Sequence, residues 1–142
     1  MLTIFVKLSL CTGGRVETIR SIKIKDINFT ENTINLVDLK GKASGKNDVS
    51  YIGFINPSLL VEISIYIHKH NLLQNNYLFS YDNIRRISRD NLRNHLQKIF
   101  NELFNQHFDS NDRKNRAVLH TLRHTFATQL AKVGTPIIPF RN

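Results

Sequence analysis

The sequence predicts an α+β domain, mainly helical, with a small antiparallel β-sheet. Three observations lead there. Most segments place apolar residues three and four apart, and two β-rich stretches bracket a loop of glycines and lysines. Apolar residues make up 41% of the 142 and charged residues 22%, the balance of a globular domain rather than a disordered or fibrous chain. That length closes one hydrophobic core, and no repeat, low-complexity tract or linker divides it.

The elements follow in order. Leu2, Phe5, Val6 and Leu10 share a face of a short helix over residues 2–11, which the turn formers Gly13 and Gly14 stop. A second short helix is expected from Arg15 to Ser21, then a strand or extended connection over Ile22–Ile27, where apolar and polar residues alternate. Residues 33–39 and 49–55 form a hairpin around an exposed basic loop at 40–48. Asn56 and Pro57 read as N-cap and first helical position, opening an amphipathic helix to His70 on Leu59, Leu60, Ile63 and Ile67.

Ser88 caps a further helix over 89–105, whose expected inward stripe is Leu92, Leu96, Ile99, Phe100, Leu103 and Phe104. Arg86, Arg89 and Arg93 fall together on an adjoining face by their spacing. Residues 109–116 hold no apolar side chain and form a loop. A last helix over 121–133 turns Leu122, Phe126, Leu130 and Val133 inward and stops at Gly134.

Charge narrows the partners. Twenty Lys and Arg against eleven Asp and Glu give +9, which on a small domain points to a polyanion, nucleic acid ahead of anionic membrane. A single cysteine, Cys11, excludes an internal disulfide or a zinc ribbon and reads as a small core residue. The apolar start is interrupted by Lys7 and falls short of the ~20 residues that span a bilayer. It also lacks the pattern of a signal peptide, so a cytoplasmic location is expected. Abundant Asn and Ile suit an AT-rich coding sequence, as in low-GC bacteria and mobile elements.

Two segments carry candidate chemistry. Arg15 follows the turn Thr12, Gly13, Gly14 at a helix start; His120 and Arg123 lie three residues apart in Leu119–Thr128 at another. Helix starts favour anions, and a guanidinium fork grips two oxygens of a phosphate. Two arginines, a histidine and a basic hairpin would together surround one phosphodiester. Taken alone, Arg15 would be an ordinary surface ion-pair partner, and His120 a helix cap. His120 and His124 at helical spacing resemble a metal pair, but no nearby Cys, Asp or Glu completes a ligand set.

With these motifs in order along nearly the whole chain, the sequence resembles the tyrosine recombinases of the integrase and Xer type. The resemblance implies that chain's catalytic-domain fold, with Arg15 and Arg123 on the scissile phosphate, His120 assisting proton transfer, and Lys42 protonating the leaving 5′-oxygen. Lys40 and Lys46 share the loop; Lys42 is favoured and Lys46 comes second. In that family a tyrosine hydroxyl attacks the DNA phosphate, giving a 3′-phosphotyrosine and a free 5′-hydroxyl, so the resemblance implies no metal or other cofactor. Arginines offset the growing charge in the transition state, a role whose removal typically costs ~3–4 kcal/mol of barrier.

Two features depart from the family pattern. The acidic residue usual three places after the first arginine is here Thr18, with Glu17 one place early. The nucleophile follows the second motif in the family, whereas Tyr51, Tyr66, Tyr77 and Tyr81 all precede it. The expectation is therefore a partial catalytic domain over 1–142, without the N-terminal DNA-clamping domain and the tyrosine-bearing helix, and inactive by itself. Double-stranded DNA and other recombinase protomers are the implied partners, with Lys40, Lys46, Arg86, Arg89 and Arg93 on the DNA backbone. The alternative is a non-catalytic fragment that binds DNA or a recombinase.

Overall fold

A computed structural model describes residues 1–38 and 48–134. Five helices surround a three-stranded sheet among these residues: α1 (Leu2–Thr12), α2 (Val16–Arg20), β1 (Ile27–Asn28), β2 (Thr33–Asp38), β3 (Val49–Phe54), α3 (Pro57–Lys69), α4 (Arg89–Leu103) and α5 (Leu119–Lys132). The sheet runs β1-β2-β3 with both pairs antiparallel. Its register sets Leu36 against Tyr51 and Ile34 against Gly53. Strand alternation sends Ile34 and Leu36 inward and leaves Ile52 and Phe54 on the outer face.

The core gathers around α1. Phe5 and Leu8 are wholly buried, and the Phe5 ring meets Phe79 edge-on at 5.2 Å. Ile19, Ile34, Leu36, Ile63, Leu78, Leu92 and Leu96 complete the fully buried set. Two helix starts carry the expected caps: Asn56 Oδ1 accepts from the Ser58 N–H at 2.9 Å, and Ser88 Oγ from the Asn91 N–H at 3.1 Å.

Several expectations need correction. α1 buries Ile4, Phe5, Leu8, Ser9 and Thr12, so its inward face is rotated from the stripe read in the sequence, and Leu10 is exposed. α5, α2, α3 and β3 all pack on this helix and set its inward face, which periodicity within one helix does not reveal. The 22–27 segment is a single bridge from Lys23 to Tyr77, a 3-10 turn over Ile24–Asp26 and the start of β1.

α4 buries only Leu92, Leu96 and Phe100; Leu103 and Phe104 lie outside because the helix ends before it regains the core. Arg86 precedes the Ser88 cap and so does not lie on that helix. α5 buries nothing, and Val133 is 75% exposed although it was expected inward. Cys11 is half-buried against the core, where burial pushes its thiol up to about 11.

Candidate active site

The turn after α1 begins the site. Gly13 ends the helix at φ 66°, its N–H bonded to Ser9 O at 3.0 Å. Thr12 Oγ1 donates to Leu8 O at 2.7 Å and accepts from the Gly14 N–H at 3.3 Å, so the turn is tied back to the buried helix. Arg15 follows as the extended N-cap of α2. Its guanidinium reaches Asp38 Oδ1 at 3.4 Å, at the end of β2. A partly exposed pair of this kind contributes only ~0–1 kcal/mol, so its effect is to aim Arg15 rather than to hold the fold.

α5 brings the second arginine. Arg123 Nη1 donates to Gly13 O at 3.2 Å, which joins the helix to the turn that precedes Arg15. The Phe126 ring covers Gly13 so closely that a Cβ there would stand 2.2 Å from its Cδ1. Burial and then the charge of Arg15 push the Arg123 pKa down, while Tyr51 and Asp38 oppose the shift.

His120 lies one helical turn before Arg123 and meets His124 edge-on at 4.6 Å between ring centroids. Partial desolvation, then His124, Arg123 and Arg15, hold its pKa below the ordinary 6.5. Arg15 acts electrostatically on His120 and Arg123 alike, so the three groups lie within reach of one another. The imidazole is consequently neutral near pH 7, able to accept a proton beside two fixed cations.

The remaining candidates divide. Arg89 and Arg93 line a groove of about 490 Å3 with Val16, Gln97, Arg116 and His120, so the basic face of α4 runs into the site. Arg89 stands 3.9 Å from Glu17 Oε1. Arg86 instead donates to Ser21 Oγ and is half-buried, away from that groove. Lys40, Lys42 and Lys46 lie outside the described residues. Glu17 binds Arg20 and faces Arg89, and Thr18 is buried, so neither supports Arg15.

Three site residues escaped the sequence reading: Asp38, Tyr51 and Arg116. Strand alternation would have found the first two. Asp38 continues the inward row of Ile34 and Leu36, and Tyr51 pairs with Leu36 across the sheet. Burial raises the Tyr51 pKa, with Arg123 and Arg15 pulling it down and Asp38 pushing it up. Arg116 gave no such signal, because a polar loop sets its place.

A family model described as the phage integrase family matches residues 1–138. No curated protein matches the sequence. Among solved structures, XerA recombinase aligns at TM-score 0.60 and 21% identity, over 94% of this chain and 49% of that one. The Tn1549 transposon integrase in complex with circular intermediate DNA aligns at TM-score 0.67 and 18% identity, over 94% of this chain and 46% of that one. XerH site-specific recombinase, bound to difH substrate in a pre-cleavage complex, gives TM-score 0.67 and 21% identity over 93% and 35%. The chain thus spans half or less of the structures it matches, and at these identities the likeness establishes the fold.

Proposed function

As the chain belongs to the phage integrase family, we propose that it is part of a tyrosine recombinase catalytic domain and grips double-stranded DNA at the phosphate to be broken. The observation that carries the reading is the convergence of Arg15, His120 and Arg123, linked through Gly13 and by mutual charge. Two guanidiniums beside one neutral imidazole match a phosphodiester: fixed positive charge for the non-bridging oxygens, and a base for a proton.

In that reading a tyrosine oxygen attacks phosphorus, the bond to the 5′-oxygen breaks, and the 5′-oxygen takes a proton. The new phosphotyrosine keeps the bond energy, so rejoining by a 5′-hydroxyl needs no ATP. Arg15 and Arg123 hold the charge that grows on the phosphate, His120 takes the proton from the tyrosine, and Lys42 supplies one to the leaving oxygen. The attacking hydroxyl comes from elsewhere in a longer protein or from another protomer. Tyr51 is half-buried in β3 with its pKa raised, the Tyr66 ring meets His70 at a tilt, Tyr77 lies under Lys23, and Tyr81 is exposed. Arg89 and Arg93 add backbone contacts along the α4 groove.

The test is duplex binding by the 142-residue chain at rising salt. Affinity should fall steeply with salt, and Arg15→Gln should weaken it about tenfold or more and flatten the slope by about one contact. A covalent adduct with a nicked duplex is expected only when a tyrosine-bearing protomer is added. Binding that never gives an adduct in such mixtures favours a fragment that binds without cutting. Failure to bind at low salt, or an Arg15→Gln variant that binds normally, overturns the reading.

A further inference from the structure

α5 carries His120 and Arg123 yet buries no residue of its own. Leu119 and Leu122 rest only partly buried on the core, so apolar contact fixes its rotation lightly. The polar chain just before it does more. Asn105, 5% exposed, stands in the turn after α4. Its Oδ1 accepts from the Ala117 N–H at 2.8 Å, and its Nδ2 donates to Ala117 O at 3.0 Å and to Asn101 Oδ1 at 2.8 Å.

One side chain thus takes both backbone groups of Ala117, as a neighbouring strand would. Only one orientation of the amide satisfies both bonds. Gln97 Nε2 adds a second donor to Ala117 O at 3.1 Å, and Arg116 Nη2 reaches Asn101 Oδ1 at 2.7 Å. The backbone of Asn105 is itself held, its N–H on Phe100 O at 3.1 Å and its carbonyl accepting from the Phe108 N–H at 3.1 Å. The clamp is anchored at its base, and all three of its amide bonds are part-buried.

Ala117 immediately precedes Val118, the N-cap of α5. A slip of one residue there turns a helix by about 100° and shifts it by about 1.5 Å. Either change carries His120 and Arg123 off the face that Arg15 occupies. We infer that Asn105 is a positioning residue, which through Ala117 fixes the helix that presents His120 and Arg123 to Arg15. Its bearing on DNA rests on the function proposed above; its bearing on His120 does not.

The experiment uses the full 142-residue chain and Asn105→Asp, which keeps the acceptor for Ala117 N–H but sets a carboxylate against Ala117 O. The imidazole titration of His120, followed by NMR, is the deciding measurement. With the clamp released, Arg15 presses less on His120, and its midpoint should rise towards 6.5. Duplex affinity should fall about tenfold. Because a new carboxylate would by itself raise the midpoint, Asn105→Ser, which removes the reach to Ala117 without adding charge, must show the same rise. A lower melting temperature with the His120 midpoint unmoved overturns the inference. A moved midpoint in a chain that never binds duplex supports the positioning role and sinks the DNA reading alone.

Discussion

α1 and α5 hold the two halves of one cationic site by different means. α1 sinks five residues into the molecule and delivers the turn that presents Arg15. α5 fully buries none, resting Leu119 and Leu122 partly on the core, and delivers His120 and Arg123, steered by an amide clamp at its start and by Phe126 resting on Gly13. Apolar burial is strong but has no direction, so it makes α1 a foundation. Hydrogen bonds are individually weak but directional, so they suit a helix whose rotation matters more than its depth. Gly13 is where the two supports meet.

Truncations to alanine on the two helices give the largest contrast. Phe5→Ala empties a wholly buried position against Phe79 and should cost about 3–5 kcal/mol in urea unfolding. Leu130→Ala removes a half-exposed side chain from α5 and should cost less than about 1 kcal/mol, because little surface returns to water. Comparable losses at the two positions would remove the contrast and mean that α5 is held by its apolar side.

Gly13→Ala strikes the meeting point. At φ 66° a Cβ is strained, and it would also drive the Phe126 ring away. The expected cost is about 1–3 kcal/mol in the same assay, with a larger relative loss of duplex affinity than Phe5→Ala causes in protein that remains folded. Pairing it with Phe126→Ala sharpens the point. If the clash with the ring dominates, the double variant recovers part of the stability; if backbone strain dominates, it recovers none.

Legibility in the sequence followed the same divide. The helices other than α2 were foreshadowed by apolar spacing, and the hairpin by its β-rich arms, because those signals lie within one element. Arg15, His120 and Arg123 stood out because each neighbours a turn or helix start with its own local signature. Val133, Leu103 and Phe104 were misread because helical spacing says which residues share a face, not whether anything covers that face. Asn105 and Arg116 left no trace, since their partners Ala117 and Asn101 are set by loop geometry across 12 and 15 residues. Asp38 was within reach, had strand alternation been carried to the end of β2.

The smallest expected effect separates support from function by sign. His120 has its folded-state pKa held below 6.5, so as pH falls through that value the unfolded chain takes up a proton before the folded one does. The stability it contributes is complete above 6.5 and is lost as pH falls towards the depressed folded value. The loss should be slight, because the residue is exposed. Comparison of melting temperatures for the parent and His120→Gln between pH 7 and 5 reads it, the two curves differing only on the acid side. A phosphate placed between Arg15 and Arg123 acts oppositely, since its negative charge favours the imidazolium. Duplex affinity should therefore rise as pH falls over the same window, and His120→Gln should flatten that rise. An affinity that stays level from pH 7 to 5 in the parent would take His120 away from the phosphate while leaving both arginines in place.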